Sequence, residues 1–169
     1  HVVSGVAAPL RNLELAVNRC HLSVERMVAT PYASGLAALV DDEAEMGAAL
    51  IDMGGGTTTL SVFADGKFVH ADGIPIGGHH VTLDMAKGLS TRIEDAERLK
   101  VMHGSALPVS GSDERDIVTI QPIGSEEGDV PVQVPRSAMM RIVRARTDEI
   151  LEMVRDRLNR SGYGSGVGK

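Results

Sequence analysis

The chain is 169 residues long and 43% hydrophobic, which is enough for a buried core and too much for a disordered chain. A net charge of −6, with two tyrosines, two phenylalanines and no tryptophan, argues against a nucleic-acid partner, because such proteins normally present basic surfaces or aromatic stacking platforms. The single cysteine excludes a disulfide framework and a Cys/His zinc site, so we expect a cytoplasmic protein. The length fits either one whole domain or a piece of a larger protein.

The beginning of the chain predicts two helices among shorter elements. Residues 1–5 are typical of the end of a strand, and residues 24–28 of a short strand. Between them, apolar residues at spacings of three and four indicate an amphipathic helix, with the cysteine packed on its apolar face; these residues are Leu10, Leu13, Val17 and Cys20. Pro31 opens a second helix that reaches Leu39, and residues 41–45 predict an acidic surface turn.

The middle of the chain predicts three strands, followed by a helix. The strands cover residues 48–51, 57–63 and 67–71 and are expected to form a meander. Asp65-Gly66 lies between the last two strands and predicts a tight hairpin, because a type I′ turn needs residues that accept positive φ. The helix that follows Gly77-Gly78 has one apolar stripe, formed by Val81, Met85 and Leu89.

The last part of the chain predicts two helices around a pair of short strands. Thr91 is expected to open a capping box for a helix that ends at His103, and a polar loop follows over 105–116. Strands are predicted at 117–120 and 130–134, on either side of a loop with Gly124, Glu126, Glu127 and Gly128. Ser137 is expected to cap a long helix that ends near Arg160. Its apolar seam consists of Met140, Val143, Ile150, Val154 and Leu158.

The sharpest local pattern is a buried strand that ends in Asp52 and is followed by Gly54, Gly55, Gly56 and Thr57. Glycines let backbone N–H groups approach an anion, and successive N–H groups form a nest that suits phosphate. A neighbouring carboxylate suits Mg²⁺ held through water, and Thr57 adds a hydroxyl donor. The alternative is a turn whose glycines serve geometry alone. The pattern is neither a P-loop nor a dinucleotide fingerprint, because neither Gly-Lys-Ser/Thr nor a helix comes next.

The order of these elements resembles the second phosphate-binding half of the actin, heat-shock chaperone and sugar-kinase ATPases. Over nearly the whole chain, the sequence is similar to the bacterial cell-division FtsA family. The similar segments are residues 29–37, 47–62, 73–78, 82–86, 95–107 and 135–137 with the helix that follows. The run Glu97-x-x-Lys100-x-x-His103-Gly104 favours this family over its rod-shape relative MreB.

The resemblance implies an α/β fold of the actin-like (ribonuclease H-like) ATPase type, partial in this chain, with a small α+β insertion. It implies ATP and Mg²⁺ as cofactors, with Asp52 holding the metal through water. It also implies that Glu97 and Lys100 contact the nucleoside, and at i and i+3 they share a helical face. The alternative for this pair is an ordinary solvated ion pair. No residue is typical of a general base, so ATPase activity is expected to be weak or absent.

The family's subdomains give expected boundaries within the chain. Residues 1–46 would be the end of subdomain IA, 47–87 the first part of IIA, 88–150 subdomain IIB, and 151–169 the return to IIA. The family's first phosphate loop, its adenosine motif and its membrane-binding helix have no counterpart in the sequence, so we expect an internal fragment. Such a half-cleft is expected to bind ATP weakly or not at all by itself.

The resemblance also implies partners. The family grips the acidic and apolar C-terminal tail of the division tubulin FtsZ on subdomain IIB. Arg146 best matches the tail-contacting arginine, with Arg144 as its neighbour, and arginine suits bidentate capture of carboxylates. The alternative is a solvated basic face.

The resulting hypothesis is an actin-like ATP-binding protein that forms filaments and tethers the FtsZ ring to the inner membrane, at its cytoplasmic face. Two alternatives stay open. One is another actin-like ATPase, such as a pilus-assembly adaptor, a rod-shape filament protein or a chaperone. The other is a peptide-binding module with no nucleotide role.

Overall fold

Residues 3–125 and 130–164 are described by a computed structural model. Their contacts divide them into two units. The first unit contains residues up to Asp52 together with Leu60–Asp72. The second unit contains Met53–Thr59 and the described residues from Gly73 to Gly164. No helix in the described ranges is long and apolar enough to span a membrane.

The described residues of the first unit form three helices, α1 (Ala7–Arg19), α2 (Thr30–Ala38) and α3 (Asp41–Met46). The two helices predicted in this region are confirmed as α1 and α2, and a proline lies in the first turn of α2. α3 replaces the predicted acidic turn, because its three N-terminal acids favour the positive end of a helix and Glu43 accepts a 3.1 Å bond from the Val40 N–H.

Three predictions for the start of the chain are wrong. Residues 3–5 and 24–28 are not strands, because within the described part of the chain no strand pairs with them. A strand needs such a neighbour to satisfy its backbone groups. Cys20 is exposed at the C-terminal end of α1 and is not packed.

The three predicted central strands are confirmed, with ends one to three residues later than predicted, but the first strand is not buried: Ile51 and Met53 are exposed and its other residues are half-buried. They are β1 (Ala48–Met53), β2 (Thr58–Ala64) and β3 (Lys67–Ile74), and they form one sheet in the order β1-β2-β3. Asp65 and Gly66 have φ angles of 50° and 67°, as the predicted hairpin turn requires.

The second unit contains four helices and a two-stranded sheet. The helices are α4 (Gly78–Gly88), α5 (Ile93–His103), α6 (Gly111–Arg115) and α7 (Arg136–Arg160). Strands β4 (Ile117–Ile120) and β5 (Val132–Pro135) are antiparallel, with Ile117 opposite Pro135. A buried cluster joins α4, α5, β4 and α7; its members include Val81, Met85, Leu89, Leu99, Val118, Met139 and Val143.

The stripe predicted for α4 and most of the seam predicted for α7 are buried, which confirms those faces. Leu158 is only half-buried. The predicted loop over 105–116 contains the short helix α6, and residues 126–129 of the next predicted loop lie outside the described residues.

Both predicted helix caps in this unit are wrong. α5 begins after Arg92, so Thr91 lies outside the helix and its hydroxyl donates to the Gln121 carbonyl at 2.6 Å. α7 begins after Pro135, so Ser137 lies within the helix and is buried. In both cases the helix starts one or two residues away from the position that the capping pattern indicated.

Candidate functional site

The glycine-rich turn rests on the first residues of α4. Within the turn, the Gly54 N–H donates to the Thr57 carbonyl at 2.9 Å. From α4, the N–H groups of Gly78 and His79 donate to the carbonyls of Gly54 and Gly55, at 2.9 and 2.8 Å. The first amides of the helix are therefore used to hold the turn, and they are not available to a ligand.

The turn itself keeps a set of free amides. Within the described residues, no hydrogen bond involves the backbone N–H groups of Gly55, Gly56 and Thr57, and all three residues are exposed. A Cβ atom at Gly55 or Gly56 would meet nothing within 4 Å, and neither residue has a positive φ. Turn geometry and packing therefore do not explain why these two positions are glycines. Three neighbouring free amides in open space are suited to an anion.

Gly77 is required for a different reason. A Cβ atom there would overlap the Gly54 carbonyl oxygen and lie 2.8 Å from the Gly55 carbonyl oxygen. The Gly77 N–H donates to Nδ1 of His80 at 3.1 Å, which satisfies an amide just before α4. The Gly77-Gly78 pair therefore allows the turn and the helix to approach closely.

Glu97 and Lys100 lie together on α5, as their spacing predicts. The ammonium group of Lys100 donates to Glu97 Oε2 at 2.7 Å, to Thr82 Oγ1 at 2.9 Å and to the Gly78 carbonyl at 3.1 Å. The pKa of Glu97 lies below its usual value, first because of the hydrogen bond from Lys100 and second because of that from Thr82. This pair is therefore linked to the same helix start that supports the glycine-rich turn.

Thr82 was missed by sequence reasoning. It is a fully buried residue of α4, and its hydroxyl is hydrogen-bonded to Glu97 and Lys100. The available signal was a polar residue beside Val81 on a helix whose neighbouring positions are core. Such a buried hydroxyl needs partners, and the partners were the predicted pair.

Asp52 belongs to the first unit, where it is half-buried and accepts a 2.7 Å hydrogen bond at Oδ2 from the Ser34 hydroxyl. Its Oδ1 has no hydrogen bond within the described residues. Across residues 3–125 and 130–164, no group of three or more His, Cys, Asp or Glu side chains is placed to hold a metal ion. A single carboxylate fits Mg²⁺ that keeps most of its water and binds phosphate, and it does not fit a cage made of protein ligands.

The two predicted partner-binding arginines have different surroundings. Arg146 is one-quarter exposed, and its Nε donates to Asp84 Oδ2 at 2.6 Å. This bond is the main reason why the pKa of Arg146 is raised. Arg144 is almost half exposed and faces Asp148 at 3.5 Å. The structure therefore brings Arg146 to α4 and leaves Arg144 at the surface.

Solved structures show which class of fold this is. MreB5 of Spiroplasma citri bound to ADP matches with a TM-score of 0.69 and 22% identity, over 92% of this chain and 49% of that chain. The same protein bound to AMPPNP matches with a TM-score of 0.67 and 21% identity, over 92% of this chain and 48% of that one. The fold is that of the actin-like ATPases, as the sequence predicted.

Sequence comparison gives the family. The model of the family "Cell division protein FtsA" matches residues 49–167, and the chain belongs to this family. The FtsA of Rhizobium meliloti (strain 1021) is 68% identical over 169 residues, which are all of this chain and 38% of that protein. The chain therefore spans well under half the length of this relative. These matches place the chain in the FtsA family and not in that of a rod-shape or pilus-assembly relative.

Proposed function

We propose that this chain supplies one side of a nucleotide-binding site. The free N–H groups of Gly55, Gly56 and Thr57 bind phosphate, with Gly54 closing the turn. Glu97 and Lys100 contact the nucleoside, and ATP is the proposed ligand. The observation that supports this most is a pair of exposed glycines whose N–H groups have no hydrogen bond within the described residues, and whose lack of a side chain has no reason in packing or in a positive φ. The nucleotides bound to the MreB5 structures agree with it.

Asp52 is proposed to hold Mg²⁺ through water. Its Oδ1 is available, and its Oδ2 is oriented by Ser34. When bound, the metal would neutralise charge on the phosphates. Asp52 lies two residues before Gly54 in the sequence, so the carboxylate and the amides are close along the chain.

We further propose that these residues act within a longer protein, called the full-length protein below, because the curated relatives are much longer. Its subdomains would follow the predicted boundaries, with 1–46 in IA, 47–87 and 151–169 in IIA, and 88–150 in IIB. Its proposed role is to form filaments and tether FtsZ to the cytoplasmic face of the inner membrane at the division site. Arg144 and Arg146 are the proposed contacts to the FtsZ tail.

Two titrations of the full-length protein test this function and separate it from the alternative of a peptide-binding module. Calorimetry with ATP and Mg²⁺ is expected to show binding in the micromolar range or tighter. A synthetic FtsZ C-terminal tail peptide is expected to bind as well. Binding of the peptide without any binding of ATP would overturn the nucleotide role and favour the peptide-binding module.

A further inference from the structure

The hydroxyl of Thr82 links the proposed nucleoside contacts to α4. Thr82 has no exposed surface, and its Oγ1 lies 2.9 Å from Lys100 Nζ and 3.2 Å from the Gly78 carbonyl oxygen. It is also hydrogen-bonded to Oε2 of Glu97. One buried atom therefore contacts both members of the predicted pair.

We infer that Thr82 is a positioning residue that, together with Lys100, orients Glu97 toward the nucleoside. This inference rests on the proposed function. Because Thr82 and Lys100 both bind Oε2 of Glu97, that oxygen is fully used. The other oxygen, Oε1, has no hydrogen bond within the described residues and is left as an acceptor for a ligand hydroxyl.

The same contacts predict which part of the ligand depends on Thr82. Lys100 binds the Gly78 carbonyl directly, and the N–H of Gly78 holds the Gly54 carbonyl. Thr82 also donates to the Gly78 carbonyl at 3.2 Å, but the other two bonds do not pass through its hydroxyl and remain when it is lost. Loss of that hydroxyl therefore disturbs the orientation of Glu97 while the glycine-rich turn keeps its support from α4. The nucleoside contacts weaken, and the phosphate contacts do not.

The experiment compares two ligands, ATP and inorganic tripolyphosphate, each with Mg²⁺, on the full-length protein. Thr82→Val removes the hydroxyl and keeps the shape of the side chain. It is expected to raise the Kd for ATP about tenfold, the scale of one lost hydrogen bond to a charged group. The Kd for tripolyphosphate is expected to change by less than about twofold. Thr82→Ser keeps the hydroxyl and is expected to bind both ligands almost as well as the wild type.

The matched control is Thr91→Val. Thr91 is also fully buried in the second unit, and its hydroxyl bonds the Gln121 carbonyl, away from Glu97. This variant is expected to lower the thermal midpoint and to leave the ratio of the two Kd values unchanged. If Thr82→Val does not fold, Thr82→Ala makes the same deletion with less steric demand.

The outcomes are distinguishable. If Thr82→Val weakened the binding of ATP and of tripolyphosphate equally, or did not weaken the binding of ATP, the positioning role would be overturned. The proposed function would be left intact. A wild-type protein that binds neither ligand would overturn the proposed function and this inference together. A wild-type protein that binds tripolyphosphate as tightly as ATP would overturn the role of Glu97 and Lys100 as nucleoside contacts, and with it the role of Thr82.

Discussion

Gly77 lies so close to Gly54 that a Cβ atom on Gly77 would overlap the Gly54 carbonyl oxygen. The next residue, Gly78, donates its N–H to that same oxygen at 2.9 Å. Two adjacent glycines thus hold the glycine-rich turn against α4. Gly77 has no side chain to obstruct the contact, and Gly78 donates a hydrogen bond to the turn. A change at Gly77 must move backbone atoms, which are harder to displace than the end of a side chain.

Gly77→Ala is expected to lower the free energy of unfolding by about 1–3 kcal/mol, the usual cost of overpacking. It is also expected to weaken ATP binding, because the turn is displaced from α4. Gly78→Ala is the control, since a Cβ atom there would lie 3.8 Å from its nearest neighbours. Urea denaturation of both variants measures the difference. Equal stability of the two variants would contradict the close approach of Gly77 to the turn.

Gly55→Ala separates binding from folding. The added methyl group meets no protein atom, so the free energy of unfolding is expected to stay within about 0.5 kcal/mol of the wild-type value. The methyl group occupies the space proposed for phosphate, so the Kd for ATP is expected to rise at least about tenfold. Gly111→Ala, also made in open space without a positive φ, should change neither quantity. An unchanged Kd for Gly55→Ala would argue against phosphate at this turn.

The ion pair between Arg146 and Asp84 is expected to contribute more to stability than the pair between Arg144 and Asp148. The first pair is part-buried with a 2.6 Å hydrogen bond, whereas the second is exposed at 3.5 Å. Double-mutant cycles with methionine for arginine and asparagine for aspartate measure the coupling. We expect about 1–2 kcal/mol for the first pair and at most about 0.5 kcal/mol for the second. Equal couplings would show that burial does not strengthen the Arg146 pair.

The same pair tests whether Arg146 acts directly on the FtsZ tail. Arg146→Glu in the full-length protein is expected to abolish binding of the tail peptide, by charge repulsion. Asp84→Asn removes one internal partner, leaves the other, Glu149, in place and keeps the arginine, so binding is expected to persist or increase. If Asp84→Asn lost binding as completely as Arg146→Glu, then Arg146 would act only through its contact with α4. Unchanged binding by Arg146→Glu would remove this residue from the interface.

Asp113 is expected to make stability depend on pH in the acid range. Its pKa lies below the usual 3.8, chiefly because the Ser110 hydroxyl and backbone N–H donate to it, and Arg136 adds a nearby positive charge. A lowered pKa in the folded state means that the stabilisation is complete above about pH 3.8 and is lost as the pH falls below it.

Ser110→Ala should therefore lower stability at neutral pH and make the loss below pH 3.8 less steep. Ser112→Ala is the control. The Ser112 hydroxyl is hydrogen-bonded to the Ser110 hydroxyl at 2.7 Å, but among the described contacts it makes no hydrogen bond to Asp113. Unfolding followed by circular dichroism across this pH range measures both effects. Identical pH profiles for the wild type and Ser110→Ala would contradict the role of Ser110.

Local patterns predicted much of this fold. The hairpin at Asp65-Gly66 and the buried stripe of α4 follow from turn chemistry and helical period, and both are confirmed. The spacing of Glu97 and Lys100 correctly placed them on one face of α5. These features depend on neighbours in the sequence, so one sequence is enough to find them.

The remaining features depend on contacts between distant residues. Thr91 fits a capping pattern, yet its hydroxyl bonds Gln121, thirty positions later in the chain. The pairing of Arg146 with Asp84 spans sixty-two positions, and no local pattern indicates it. The contact of Thr82 with Glu97 joins α4 to α5, and the close approach of Gly77 to Gly54 joins the start of α4 to the glycine-rich turn, so neither follows from a local pattern. Tertiary contacts override local preference in each case.

The exposed thiol at the end of α1 offers a practical route to several of these measurements. Cys20 is the one cysteine in the 169 residues, and it lies in the first unit, whereas the glycine-rich turn and α5 belong to the second. A maleimide fluorophore would therefore label these 169 residues at a single known position, without an engineered cysteine. Variants of this 169-residue chain can all carry the same dye, so their unfolding curves can be compared on one optical scale.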